Sequence, residues 1–425
     1  MSNQQYKTTK VSANFGAKGW LVVIMAFLSI FVNSALINDS LNVTRTAFTE
    51  STGMNYSLIS FFSTAGGWFA VAGGFLWTFL SRKISARFSW VSSLLVTGIA
   101  CFFWGHATTH AAYFVCISVA MVGAMGFAYI ADGIVIGNWF PKKKGLAMGW
   151  ATAGYPLSAA IISGIATGLI SGGGTVRFYN VFGFVCIGMA VLCLLCVRDY
   201  PEQMGAYPDN EKNTDRDALN KALEEGREYM KTSQWNTKKV LKCGNAWKIA
   251  IVIGVMQLTS IGIMTNFFPR MMASGYETKE ILLMLTLAGA LAFVGSILCG
   301  VLDAKVGPKK SIIITIILAI LSIVMNLTGI RPLIYISLPL LGIQLGGTSN
   351  YLISLLSTIW GRYDFQILYG ILQPIASLIG CTGVFVVAAL GETYSYSMAY
   401  IVVAALDAIA LLLAFTIKDD FVGRN

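Results

Sequence analysis

Charge is scarce in this sequence. Asp, Glu, Lys and Arg make up 12% of its 425 residues, about half the roughly 25% of a soluble domain. Histidine is scarcer still, with only His106 and His110. No Walker-type phosphate loop, zinc-spaced cluster or Ser-His-Asp order occurs. These absences argue against ATP-driven transport and hydrolysis, and neither a cofactor nor a metal is expected. Eight cysteines form no disulfide framework. Cys193 and Cys196 have CxxC spacing, but inside an apolar run, where they read as small hydrophobes.

The chain is 56% hydrophobic. Its apolar residues fall in runs of about 20, the length that crosses a ~30 Å hydrocarbon core. Twelve such runs are read, near residues 18–39, 56–80, 88–106, 111–140, 146–170, 178–197, 246–268, 280–302, 311–328, 333–360, 365–390 and 397–417. They are called spans 1 to 12. Lipid offers bare backbone no partner, so the runs must be helices or a closed barrel. They lack the strict alternation of barrel strands, which leaves helices. The expected fold is an all-α membrane protein of twelve transmembrane helices in two pseudo-symmetric six-helix bundles. The first run has no small-residue cleavage site after it and is expected to be retained as a span.

Basic residues set the expected orientation. With a cytoplasmic N-terminus, the inner segments hold Lys7, Lys10, Lys18, Arg82, Lys83, Arg87, Lys142, Lys143, Lys144, Lys305, Lys309, Lys310, Arg362, Lys418 and Arg424. The outer ones hold only Arg45, Arg177, Arg270, Lys279 and Arg331. The positive-inside rule then puts both termini in the cytoplasm. The net charge of +10 has this topological origin, and no nucleic-acid partner is expected.

A polar, charge-dense stretch divides the chain into residues 1–197, a linker at 198–244, and residues 245–425. Within the linker, Asp215 to Met230 reads either as an amphipathic helix on the inner surface or as a solvated segment. The two halves resemble each other. TFLSRKISAR at Thr78–Arg87 aligns with GVLDAKVGPK at Gly300–Lys309. Gly123–Trp139 aligns with Gly342–Trp360, and Gly154–Gly164 with Leu372–Gly383. All three offsets lie near 220. Such duplications build carriers whose site lies at the midplane between the repeats.

Six plus six helices, a long central loop and a basic motif repeated after spans 2 and 8 resemble the major facilitator superfamily over the whole chain. The family's inner-loop motif reads roughly G-x-L-x-D-R-x-G-R-K. Gly300, Leu302, Lys305, Gly307 and Lys309 match it, with Ala304 at the Asp position and Asp303 one residue early. Leu80, Lys83 and Arg87 match it in the first half, with Arg82 at the Asp position. The resemblance implies an inner gate built from these residues. NWFPKKKGLAMG after span 4 and RDYPEQMGAYPDN after span 6 look closest to the oxalate/formate-antiporter and monocarboxylate-porter branch. Spans 8 and 11 lack the interior basic residues with which oxalate-type carriers hold a dianion, which argues against a small dicarboxylate.

Asp132 is the acid that stands out. It lies nine residues before Pro141, so about 13 Å into span 4 at 1.5 Å per residue. An ionisable group there costs roughly 2.5–3.5 kcal/mol on insertion scales, and burial favours a carboxyl's neutral form. It is read as a proton or substrate site, with a structural hydrogen-bond role as the rival. Met125 and Tyr129 share its face at helical spacing. Asp407 reads as packing and Asp39 as interfacial. Candidate substrate contacts are Asn33, Tyr129, Tyr155, Gln257, Gln344, Thr348 and Gln373, each with interhelical hydrogen bonding as its rival. Arg270, ending span 7 beside Pro269, is the first candidate to hold an anion.

The expected function is secondary transport of a small organic anion, a monocarboxylate, across the plasma membrane by alternating access, with proton symport or exchange, by a monomer. A bulky apolar or neutral solute, a membrane-embedded sensor and a polytopic enzyme are the alternatives. Purified protein in liposomes is expected to accumulate solute. Binding without accumulation would mark a sensor, and turnover of solute in detergent an enzyme.

Overall fold

The structure is a computed structural model that describes residues 14–211, 216–348 and 350–422. Lys7, Lys10, Arg424 and Asp215, used above, lie outside the described residues.

Span 1 runs Gly16–Asp39 and is carried on by Leu41–Thr52. Spans 2 to 6 are Tyr56–Lys83, Ala86–Gly105, His110–Trp139, Lys144–Ser171 and Gly174–Cys196. Span 7 is Gly244–Thr265, with a short continuation Phe267–Ala273. Spans 8 and 9 are Thr278–Val306 and Pro308–Leu327, and span 12 is Tyr396–Phe415. The long segment Tyr351–Thr393 is two helices that meet at Gly361, whose φ of 71° and ψ of −173° break the helix. Residues 351–360 complete span 10, begun by Arg331–Gly347, and residues 362–393 form span 11. Among the described residues, ten segments can cross a membrane by length and composition. Dividing one of them at Gly361, and counting Tyr56–Lys83, yields the twelve. Side-chain caps start several spans. Asn55, Ser85, Thr109 and Ser395 accept from the backbone N–H three residues on, which satisfies donors that a helix start leaves bare.

The helices pair in the same way in each half. Spans 2 and 4, 3 and 6, and 1 and 5 pack together in the first, as do 8 and 10, 9 and 12, and 7 and 11 in the second. Glycine makes several of these approaches close, as small residues do between membrane helices. A Cβ on Gly98 would meet the Gly183 carbonyl at 3.1 Å, and one on Gly295 the Gly342 carbonyl at 2.6 Å.

The two bundles meet along spans 2 and 11 and along spans 5 and 8. Gly74 lies against Pro374, and the Thr78 hydroxyl donates to the Gly370 carbonyl at 3.0 Å. Gly149 lies against the backbone of Ser296 and Gly300. Both described chain ends lie at one face, which we call the terminal face. There Lys143 reaches the Asn14 carbonyl and Lys309 pairs with Asp419. Gly164 and Gly168, in the far half of span 5, have nothing within 4 Å of where a Cβ would stand.

Gly149→Val tests the span 5–span 8 seam. Its Cβ would sit 2.8 Å from the Ser296 carbonyl oxygen and 3.2 Å from the Gly300 Cα. Backbone cannot yield cheaply, so about 1–3 kcal/mol of stability should be lost. A thermal unfolding midpoint in detergent equal to that of wild type would contradict the seam.

Candidate functional site

Span 4 builds the centre of the site with an irregularity. Gly126–Ile130 forms a π-helical turn immediately before Ala131–Trp139. Such turns hold one extra residue and often occur at functional sites. The extra residue breaks the 3.6 register, so Met125 does not share the face of Asp132. Met125 points at Gly74 of span 2, whereas Tyr129 turns to Tyr155 of span 5, ring centroids 6.3 Å apart. A second π turn, Ala35–Asp39, follows Asn33 in span 1.

Asp132 is 1% exposed. Its Oδ1 has no hydrogen-bond partner, and Tyr129, Tyr155 and Tyr369 stand near it. The Tyr369 hydroxyl, from span 11, donates to the Tyr129 carbonyl across the bundle boundary. Asn33 stands beside the Tyr129 hydroxyl. The Asn33 Nδ2 and Tyr155 hydroxyl are buried without partners. Gln373 donates to Ser377 at 3.0 Å. Ile30, Ala128, Tyr129, Met148, Thr152, Tyr155, Tyr369 and Gln373 enclose a space of about 10 Å³, room for about one water. Side chains from both bundles therefore converge on one polar point, which Tyr129, Tyr155 and Gln373 line, while Asn33 and Asp132 lie close to its tyrosines.

The other sequence candidates lie elsewhere. Gln257 packs against Gly380 of span 11. Thr348 lies 3.1 Å from the Ser260 hydroxyl and donates to the Gln344 carbonyl at 2.6 Å. The Gln344 amide is buried with both polar atoms unpartnered. Arg270 is held inside the second bundle. Its Nε donates to Asn326 Oδ1 at 2.7 Å, its Nη2 to the Asn326 carbonyl at 3.1 Å, and it lies 3.8 Å over the Tyr400 ring. Spans 9 and 12 thus occupy the charge that looked available to an anion. Among the described residues no cluster could hold a metal.

Below the polar point the bundles are bolted together toward the terminal face. The Thr152 hydroxyl lies 2.5 Å from that of Ser296 and 2.6 Å from Asn350 Oδ1, and Ser296 donates to the Gly149 carbonyl at 2.7 Å. Further down, Gln366 donates to Asn138 Oδ1 at 2.9 Å. At the face itself Arg362 grips Glu202 with two bonds of 2.7 and 3.0 Å, side chains only 9% and 2% exposed. The linker helix Arg216–Thr232 docks beside them. Tyr229 and, just past the helix, Ser233 donate to Asp364 at 2.6 and 2.5 Å.

The motif residues divide between these tasks. Asp303, at the end of span 8, accepts from Ser354 at 2.5 Å and lies against Gly145 and Lys144 at the start of span 5. It therefore joins the halves from one residue ahead of the motif position. Arg82 is exposed, with Asp364 the acid nearest in effect. Lys83 lies over the Phe79 ring. The Arg87 backbone N–H donates to Asp199, at the start of the linker, at 2.6 Å. Gly307 turns the chain with φ 88°, Lys309 pairs with Asp419 at 3.3 Å, and Lys305 is exposed. In the linker, burial pushes the Asp209 carboxyl above its ordinary range, against the opposing pull of the Lys142 and Lys143 backbone N–H groups it caps.

Sequence reasoning missed Thr152, Ser296 and Asn350, and the Arg362–Glu202 pair. Glu202 stood in a quoted segment, but nothing in the order of residues paired it with a position 160 residues on.

The description "Major Facilitator Superfamily" belongs to a family model that matches residues 19–359. Among solved structures the chain is similar to the proton:xylose symporter XylE bound to 6-bromo-6-deoxy-D-glucose, with 13% identity and a TM-score of 0.75 over 94% of this chain and 96% of that one. It is also similar to the human organic anion transporter MFSD10 (TETRAN), with 12% identity and a TM-score of 0.70 over 94% and 100%. No curated protein matches. At these identities the likeness to the solved structures is one of fold.

Glu202→Ala would leave Arg362 buried and unpaired, at about 3–5 kcal/mol. Amide hydrogen exchange over residues 351–370 should then rise by at least an order of magnitude. Adding Arg362→Met should restore most of the protection. Unchanged exchange in the single variant would show that the pair does not hold the face shut.

Proposed function

The chain belongs to the Major Facilitator Superfamily, and from the geometry of its site we propose that it is a proton-coupled secondary carrier of a small monocarboxylate. Asp132 carries the proton, and Tyr129, Tyr155, Asn33 and Gln373 hold the solute. In this reading the terminal face is cytoplasmic, the protein lies in the plasma membrane, and the bundles open outward while Glu202–Arg362, the contact of Asp303 with Lys144 and Gly145, and the linker close the cytoplasmic side.

The observation that carries the reading is a buried carboxylate with no cation near it. Arg270 is engaged by Asn326 and Tyr400, and none of the residues around the enclosed space is basic. A solute anion about 4 Å from a charged Asp132 would be repelled by about 4 kcal/mol at an effective dielectric constant of 20. That is roughly a thousandfold in affinity. A proton on Asp132 removes the repulsion, and the unpartnered Asn33 amide and Tyr155 hydroxyl are then free to donate to the solute. Anion and proton thus load together because neither arrangement with one alone satisfies the site.

A neutral hydroxylated solute is the second reading, favoured by the same lack of a cation. XylE is a proton:xylose symporter and MFSD10 an organic anion transporter, so the fold accommodates both classes.

Counterflow in proteoliposomes across monocarboxylates, dicarboxylates and sugars, with and without a pH gradient, tests the reading. Monocarboxylate uptake should be driven by an acid exterior, and Asp132→Asn should abolish that drive by at least tenfold. Normal transport by Asp132→Asn at every pH would end the coupling assignment. Movement of sugars or cations alone would end the anion assignment.

A further inference from the structure

A second polar cluster lies inside the first bundle, away from that polar point. It is centred on Arg45, twelve residues beyond Asn33, or roughly 18 Å along the helix. Leu41–Thr52, the extension of span 1, brings Arg45 and Phe48 against Trp104 at the end of span 3, Tyr113 at the start of span 4 and Tyr179 at the start of span 6. Trp104 stacks on Tyr179 with ring centroids 4.4 Å apart and meets Tyr113 edge-on at 5.7 Å. Phe48 closes the box, 5.1 Å from Tyr113. All four rings are fully buried.

Four polar atoms of this box lack a well-formed hydrogen bond, although Thr44 stands beside the Tyr179 hydroxyl. Arg45, Ser63 and Trp104 surround the Tyr113 hydroxyl, but Ser63 turns its hydroxyl to the Ile59 carbonyl. The Tyr113 and Tyr179 hydroxyls, Trp104 Nε1 and Arg45 Nε are all buried with no hydrogen-bond partner. Arg and Trp can only donate. No carboxylate is among the groups acting on Tyr113 or Tyr179. An orphaned buried donor is costly, and a charged one more so. Folds rarely retain such clusters without an acceptor.

A water would bring two protons as well as two lone pairs into a site already crowded with donors. An anion brings lone pairs alone and offsets the guanidinium charge. We propose that this box binds a small monoanion, a halide or a short carboxylate, which fastens the span 1 extension to spans 3, 4 and 6. A surface depression of about 580 Å³, lined among others by Ala47, Gly105 and Thr175, lies on three of the four elements that form the box. The site is separate from the transported solute and does not depend on the carrier reading.

Thermal unfolding in detergent tests it, with sodium chloride, bromide or formate replacing gluconate at constant ionic strength. The unfolding temperature should rise and saturate with the small anion. Tyr113→Phe and Arg45→Gln should each raise the half-saturating bromide concentration at least tenfold, and a formate response that these variants leave unchanged would belong to the solute site and not to the box. Saturation by halides but not formate would identify a halide site, and saturation by formate as well a site that takes both. A bromide-soaked crystal should show an anomalous peak beside Arg45, which decides the matter even if the variants fail to fold. Absence of the peak, or wild-type anion dependence in Tyr113→Phe, would overturn the proposal.

Discussion

A carboxylate taken out of water must find a partner or give up its charge, and this constraint organises the protein. Most of its buried acids are answered. Asp303 has Ser354 and the nearby Lys144, Asp407 has Thr259 at 2.8 Å, Asp39 has Ser34 and Ser158, and Asp364 has two linker hydroxyls. Asp132 has no side-chain partner among the described residues. It is also the one that stands among tyrosines contributed by both bundles. A group left unanswered at the meeting point of two bodies is where binding can alter how those bodies fit together.

The closed terminal face follows from the same economy of charge. Its locks are polar and buried, and each joins one bundle to the other or to the linker. The repeats do not use the same polarity. The start of span 5 offers Lys144 to Asp303 at the end of span 8, whereas the start of span 11 offers Asp364 toward Arg82 at the end of span 2. The basic and acidic members have exchanged sides between the two halves. Opening this face would strip partners from several buried groups at once, so the face resists partial opening and favours two discrete arrangements over a continuum.

The twelve spans were legible because bilayer thickness imposes a run length that composition cannot hide. The duplication was legible because packing pairs recur at a constant offset. Local register was not. The π turn at Gly126–Ile130 carries no sequence signature, so helical spacing put Met125 beside Asp132 when it faces span 2. Arg270 looked free because sequence cannot display Asn326 and Tyr400 closing on it. The contact at the terminal face was half legible. The motif led to Asp303, but its partners Ser354 and Gly145 lie 51 and 158 residues away. Partners so distant are fixed by tertiary packing, not by neighbours.

The central claim is that solute and proton bind to the same point because a lone carboxylate links them. Binding linkage is reciprocal, so it can be read without transport. Proton uptake measured with a pH dye, as a monocarboxylate binds to purified protein in weakly buffered solution, is the most direct measurement. Wild type should take up about one proton per solute above neutral pH, and Asp132→Asn none. Solute binding to wild type with no proton taken up at any pH would contradict it.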